Sequence, residues 1–334
     1  MKRTIIIAEA GVNHNGSLDR ALELVDAAAQ AGADYVKFQT FKASALVNAQ
    51  AQQAKYQKIN TGAERTQLEM LSELELSYED FVKIASHCRY KGIRFLSTPF
   101  DLESLEFLKS LNMDFWKIPS GEITNLPYLR AIGVTGKPVV MSTGMCTPDD
   151  IHAAIIALER AGTAHNDITL LHCTTEYPAP YSEVNLAAMN TLASRFHTPV
   201  GYSDHTRGIE IAIAAAALGA TVVEKHFTLD RNLPGPDHKA SLEPAELSSM
   251  VTAIRNVDLA IGSPEKLVTE AERRNMTVAR KSIVAARDIC KGELLSTENL
   301  TVKRPGTGIS PMLWDTIIGT VAKKDFTTDE LISI

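Results

Sequence analysis

Paired cysteines are missing from this chain. The four that occur, Cys88, Cys146, Cys173 and Cys290, form no C-x-x-C pair. That excludes a zinc knuckle and a dithiol redox motif, and scattered thiols suit a reducing compartment. Also missing is any apolar stretch near the roughly 20 residues that a membrane helix needs. The start, Met1-Lys2-Arg3 followed by the largely apolar run Thr4 to Ala8, imitates a secretion signal, but Glu9 ends the run too early. No block of five like charges occurs, and the net charge is -6. A nucleic-acid-binding face, which needs clustered Lys and Arg, is therefore not expected. These absences predict a soluble cytoplasmic protein with neither nucleic acid nor membrane as partner. They leave room for a local basic pocket.

What is present is an ordinary globular composition, 45% hydrophobic and 22% charged over 334 residues. Short β-branched runs at 4–8, 35–38, 94–97, 115–118, 139–142, 168–172, 200–202 and 222–226 alternate with helical patterns. Those patterns fall at 18–31, 78–90, 102–111, 127–134, 148–161, 184–195, 209–218 and 244–261. Gly32, Gly92, Gly162 and Gly219 stand where left-handed helix ends are expected. Eight such units predict a (β/α)8 TIM barrel. A doubly wound open sheet is the competitor, but the turn after the first strand, Gly11 to Gly16, lacks G-x-G-x-x-G spacing. Residues 41–77 are a long insertion with a helical stretch at 67–74, in the manner of a lid. The alternation stops after Gly262-Ser263-Pro264. Short β-like pieces at 282–286, 291–295 and 301–303 and a helical turn at 313–317 then predict a small second domain. The expected division is 1–265 for the barrel and 275–334 for the small domain.

In this fold chemistry sits at the C-terminal ends of the strands. Lys37 and Lys117 lie on strands, where an unpaired ammonium is costly. Either each pairs with an interior carboxylate, or both face one anionic ligand. Thr98, Ser120 and Ser203 add hydroxyl donors on the same rim, so a phosphate site is favoured. A Schiff-base lysine is the chemical rival. His205 and His226 end neighbouring strands and could converge on one ion, and structural histidines are the alternative. His14 and His172 are read as loop capping and rim hydrogen bonding. Glu9, Glu122 and Asp237 are candidates for acid–base work or for sugar hydroxyls. Glu176 and Glu224 are read as structural carboxylates.

The motifs Ala8-Glu9-Ala10-Gly11-Val12-Asn13-His14-Asn15-Gly16, Val36-Lys37-Phe38-Gln39-Thr40 and Ser97-Thr98-Pro99-Phe100-Asp101 resemble the sialic acid synthase family. So do Lys117-Ile118-Pro119-Ser120-Gly121-Glu122, the run from Leu171 to Pro178, Tyr202-Ser203-Asp204-His205-Thr206 and Glu224-Lys225-His226-Phe227-Thr228. Lys303-Arg304-Pro305-Gly306 resembles the signature loop of that family's C-terminal antifreeze-like (SAF) domain. The likeness runs through the whole chain in order.

The resemblance implies that phosphoenolpyruvate condenses with the open-chain aldehyde of an N-acylated mannosamine, giving a nine-carbon 2-keto acid sugar and phosphate. It implies a divalent metal, Mn2+ first and Mg2+ or Co2+ otherwise, held by His205 and His226. It carries phosphoenolpyruvate contacts onto Lys37, Thr98, Lys117, Ser120, Ser203 and Tyr177, and sugar contacts onto Glu9, Gln39, Tyr177, Asp237 and Arg304. An asparagine of the insertion is matched to Asn60. Arg304 would come from the partner in a domain-swapped homodimer. Some members carry Asn where Thr175 stands beside the phosphate site, and Thr reaches less far. Glu122 is assigned to position or deprotonate the water that attacks C2. Residues 175–180 and 202–208 are most similar to legionaminic acid synthases, while 278–282 and 308–312 are also similar to N-acetylneuraminate synthases. The sugar stays open between the two. A metal-free Schiff-base aldolase and a glycan-binding module are the competing functions.

Overall fold

A computed structural model describes residues 3–54, 57–58, 60 and 66–334. Eight strands alternate with helices: β1 (Ile5–Gly11), β2 (Tyr35–Thr40), β3 (Arg94–Pro99), β4 (Trp116–Ile118), β5 (Val139–Ser142), β6 (Ile168–His172), β7 (Val200–Asp204) and β8 (Val222–His226). They are parallel neighbours in the order β3-β2-β1-β8-β7-β6-β5-β4, and β3 and β4 lie side by side where that order closes. The expected (β/α)8 TIM barrel is the observed fold. Its strands are buried on both faces, β5, β7 and β8 along their whole length. That explains the apolar spelling of β5 and of the opening residues of β7 and β8.

The helices start where local chemistry predicts. Ser17 accepts from the backbone of Arg20 ahead of Leu18–Gln30. Thr147 and Asp150 form a capping box with Pro148 in the first turn of Pro148–Ala161. Leu18–Gln30 buries Ala21, Leu24, Val25 and Ala28, one stripe at helical spacing facing the barrel. Gly92 ends Tyr78–Lys91 at φ 73°, a left-handed conformation that glycine adopts without steric cost. Within the insertion, Gln67–Leu74 is a helix opened by a Thr66–Glu69 capping box. Among the described residues no helix is long and apolar enough to cross a membrane.

The chain divides at Gly262, and the second unit is Ser263–Ile334. It begins earlier than the expected residue 275, because the helix Glu270–Ala279, capped by Thr269, belongs to it. That helix buries none of its residues, so it carried no apolar stripe to announce it. Strands β9 (Ser282–Ala285) and β10 (Leu300–Lys303) pair antiparallel. The β-like piece at 291–295 contributes only an isolated bridge, Leu294 to Val321. Ile283, Ile289, Leu295, Leu300, Phe326 and Ile332 form this unit's own small core.

One buried ion pair fixes the ends of β7 and β8. Lys225 Nζ lies 2.7 Å from Asp204 Oδ2 and donates to the Thr206 carbonyl at 2.6 Å. Asp204 Oδ1 in turn accepts from Thr206 N and Oγ1. Both charged side chains are fully buried. Removing one partner strands the other charge in the interior, at about 3–5 kcal/mol. Lys225→Met is therefore expected to lower the urea midpoint of the barrel by that equivalent in circular dichroism. An unchanged midpoint would contradict this account.

Candidate active site

Strand register brings the polar strand ends together. Glu9 of β1 stands opposite Lys37 of β2 on one side and His226 of β8 on the other. Gln39 stands opposite Thr98, and Ser203 opposite Glu224. Alternate residues along a strand share a face. Lys37 and Gln39, Ser203 and His205, and Glu224 and His226 accordingly line one cavity at the strand ends, joined by Thr175 and Tyr177 of the loop after β6. Lys225 and Asp204, on the intervening positions, turn away from it and meet each other. The cavity measures about 240 Å3. Glu9, Thr98, Lys117, Ser120 and Asp237 complete the set of expected residues that line it.

A charge network forms its floor. Lys37 Nζ lies 2.9 Å from Glu9 Oε2, 3.6 Å from Glu224 Oε2 and 3.1 Å from Thr98 Oγ1. Lys117 Nζ donates to Ser142 Oγ at 2.8 Å and lies 3.6 Å from Glu224 Oε1. Ser203 Oγ donates to Glu224 Oε1 at 3.0 Å, and Gln39 Nε2 to Glu9 Oε1 at 3.1 Å. Burial disfavours the charge of Glu224, but Lys117 and Lys37 outweigh it and hold the carboxyl at about 2. Burial likewise opposes the Lys37 ammonium, yet Glu224 and Glu9 raise it above the ordinary lysine value. Lys117 falls below that value through burial and the charge of Lys37, against the pull of Glu224. Glu9 is pushed up, chiefly by burial and also by Glu224, although Lys37 opposes the shift. Glu224 is thus held ionised, shared between two lysines.

Beside Lys117 the walls close on one glycine. Ser120 Oγ accepts from Gly144 N at 2.9 Å and lies 3.3 Å from Cys173 Sγ. A Cβ on Gly144 would stand 2.3 Å from Thr175 Oγ1 and 2.9 Å from Ser120 Oγ, so no larger residue fits. Thr175 Oγ1 is buried without a hydrogen-bond partner among the described residues. Burying an unsatisfied hydroxyl is costly unless a ligand meets it.

The two histidines lie next to each other, their ring centroids 5.6 Å apart. The Tyr177 ring is 4.2 Å from that of His205 and 5.7 Å from that of His226. His205 Nδ1 meets the Thr174 carbonyl at 2.6 Å. It must carry the proton there, which leaves Nε2 with its lone pair. His226 Nδ1 is buried without a partner among the described residues. Burial brings His205 down to about 4, although the Thr174 carbonyl resists. Burial and the neighbouring His205 bring His226 well below the ordinary histidine value. Both imidazoles are therefore neutral near pH 7, the form that binds a metal. Among the described residues no group of three or more His, Cys, Asp or Glu is arranged around an ion. The pair fits a metal that takes its remaining ligands from water or substrate.

Three expected residues stand apart from the cavity lining. Glu122 Oε2 accepts from Asn125 Nδ2 at 2.6 Å at the start of Leu126–Gly133. A local cap-region contact has taken the carboxylate assigned to the attacking water. Asn60 Nδ2 donates to the Pro236 carbonyl at 2.7 Å, so it holds a cavity-lining loop. Arg304 belongs to the second unit, where its exposed side chain donates through Nε to the Ala279 carbonyl at 3.1 Å. His14 Nδ1 accepts from Gly16 N, and His172 Nε2 meets the Val184 carbonyl, the capping and rim roles expected of them. Glu224, read as structural, proves to be the ion that both lysines share. Its signal was available: it stands two residues before His226 and so shares its face. Ser142 and Cys173 were also missed, since a lone hydroxyl or thiol at a strand end carries no pattern of its own.

Asp237 carries a titration with a definite sign. Burial, then the Glu9 charge, raises it from 3.8 to about 7. Between those values the unfolded chain releases a proton that the folded chain keeps, so this group's contribution to stability falls as pH rises. Below 3.8 there is no penalty, and above about 7 the penalty is constant. Asp237→Asn is expected to gain melting temperature relative to the wild type as pH rises from 4 to 7, with a plateau beyond. A difference independent of pH would contradict the assignment.

Comparison with known proteins adds a lineage to this geometry. Residues 24–266 match the NeuB family and residues 280–334 the SAF domain. The chain is 52% identical to the N,N'-diacetyllegionaminic acid synthase of Campylobacter jejuni, over 99% of each chain. It is 50% identical to the enzyme of that name from Legionella pneumophila, over 94% of this chain and 89% of the other. A solved structure of N-acetylneuraminic acid (sialic acid) synthetase from Leptospira borgpetersenii in complex with citrate aligns at TM-score 0.72. It is 33% identical, covering 82% of this chain and 90% of that one. With its barrel, its lysine- and histidine-lined cavity and its SAF unit, the chain belongs to the NeuB family.

Proposed function

We propose that this protein joins phosphoenolpyruvate to the aldehyde of an N-acylmannosamine-type sugar, with 2,4-diacetamido-2,4,6-trideoxymannose as the sugar and N,N'-diacetyllegionaminate and phosphate as products. The observation that carries this reading is Glu224 shared by Lys37 and Lys117, in one cavity with two neutral imidazoles. The names borne by relatives that are 52% and 50% identical support the choice of sugar.

The chain's own groups supply the steps. Lys37 and Lys117, with Thr98, Ser120, Ser203 and the unsatisfied Thr175 hydroxyl, bind the phosphate and carboxylate. They hold the substrate so that its C3 faces the aldehyde carbon. Gln39, Tyr177, Asp237 and Glu9 receive the sugar. His205 and His226 would hold a divalent metal, Mn2+ by preference, which when bound would supply Lewis-acid polarisation of the aldehyde oxygen. C3 forms the new bond to the aldehyde carbon, whose oxygen takes a proton. Asp237, near neutrality in pKa, is suited to give it. Water adds to the electron-poor C2 and loses a proton. The C2–O bond to phosphate then breaks as the C2 hydroxyl gives up its proton to the departing phosphate, leaving the 2-keto acid. The carboxylates available to that water in the cavity are Glu9, Glu224 and Asp237 rather than Glu122.

One observation favours a second reading. Burial and Lys37 depress Lys117, as a Schiff-base amine requires. Borohydride trapping of Lys117 with pyruvate would support that aldolase chemistry.

The decisive assay is phosphate release from phosphoenolpyruvate with 2,4-diacetamido-2,4,6-trideoxymannose. Release should stop with EDTA and return with Mn2+, and His205→Ala or His226→Ala should weaken Mn2+ binding in calorimetry. Metal-independent turnover, or no release with any such sugar, sinks the proposal. Arg304 is proposed to complete the sugar pocket from a second copy. Arg304→Ala should then lose activity with little change in melting temperature, and mixing it with inactive Lys37→Met should restore turnover through mixed dimers. Absence of complementation would argue against sharing between copies.

A further inference from the structure

The cavity has a strongly polar side and a mainly apolar one. Its lysines and histidines, with Glu9 and Glu224, come from the barrel strands and their ends. The opposite wall comes from the insertion, whose helix Gln67–Leu74 buries Met70 and Leu74. These two cluster with Val12 and Phe41, and Leu71 and Phe100 pack against them. A second hollow of about 260 Å3 lies behind that wall and shares Met70, Leu74 and Pro236 with the reaction cavity. Either hollow alone is smaller than the ~300 Å3 at which ligand sites begin, and the two together exceed it.

The loop between them is held from two sides. Asn15 Nδ2 donates to the Pro234 carbonyl at 2.7 Å, and Asn60 Nδ2 to the Pro236 carbonyl at 2.7 Å. Asn15 Oδ1 also meets His238 Nε2 at 3.1 Å. The second hollow thus has a fixed edge at 234–236 and an unbranched, adaptable Met70 as its partition.

We infer that the helix Gln67–Leu74 is the sugar-specificity element, its Met70 and Leu71 selecting a sugar that presents methyl groups, from a 6-deoxy carbon and a second acetamido group, over one that presents hydroxyls. The inference rests on the proposed condensation. With phosphoenolpyruvate drawn to the lysines, the sugar's far end meets the apolar wall. A hydroxyl pressed against Met70 and Leu71 loses its water and gains no partner from those side chains, whereas a methyl group loses nothing. Discrimination by such a wall is on the order of 10- to 100-fold.

The test compares kcat/KM for 2,4-diacetamido-2,4,6-trideoxymannose with that for N-acetylmannosamine, at saturating phosphoenolpyruvate and Mn2+. The wild type should favour the former. Met70→Gln, close to methionine in length but polar, should lower the ratio several-fold while the KM for phosphoenolpyruvate stays at its wild-type value. Met70→Leu should keep the preference. Leu71→Gln, at a less buried position on the same wall, provides a second variant should Met70→Gln fold poorly. An unchanged ratio in the folded glutamine variants overturns the inference, as does equal use of both sugars by the wild type, which leaves the condensation itself standing. Release of phosphate with neither sugar overturns the condensation, and this inference with it.

Discussion

Two ammonium groups share one carboxylate inside the barrel, and the rest of the site depends on that arrangement. Glu224 lies 3.6 Å from both Lys37 and Lys117. Either lysine alone at this depth would be driven to lose its proton. Two lysines side by side without a carboxylate would repel each other as well. Glu224 keeps the pair tolerable, and Glu9 adds a second carboxylate 2.9 Å from Lys37. The cavity can therefore attract an anion without collapsing around its own charges. A buried network of this kind is weak evidence for stability. It is better understood as a site organised before its ligand arrives.

The second ion pair does a different job. Asp204 and Lys225 face away from the cavity, one position along from Ser203, His205, Glu224 and His226. Through Thr206 they fix the turn that carries His205. The same two strands thus carry two polar layers: one serves chemistry and the other anchors the first. Strand alternation permits this only because β7 and β8 are enclosed on both faces.

The insertion supplies what the strands lack. Strand ends deliver charge and hydrogen-bond donors. Gln67–Leu74 brings an apolar surface to the same cavity, packed on Val12 and Phe41. In the proposed reaction the phosphorylated three-carbon acid would meet the charged side of the cavity and the acylated deoxy sugar the apolar one. The barrel supplies a place for the common reaction, and the insertion is free to vary the partner.

Much of this was written in the one-dimensional pattern. β5, β6 and β8 span the residues expected of them, their β-branched openings marking strands of the barrel wall. Helix starts followed from Ser17 and Thr147, whose hydroxyls meet local backbone groups. Lys37, Lys117, His205 and His226 could be placed at strand ends from position alone. Glu122 shows where such reasoning stops: its strand-end position was right, but a neighbouring Asn125 side chain claims it. Glu224 shows the reverse, for its two lysine partners lie more than a hundred residues away in sequence. The helix Glu270–Ala279 escaped notice because it buries nothing. Local periodicity and capping belong to the sequence because they depend on neighbours within one or two turns. The ion shared by two lysines, the close approach at Gly144 and the two-faced cavity were decided only by the closure of the barrel, which alone sets distances between remote strands.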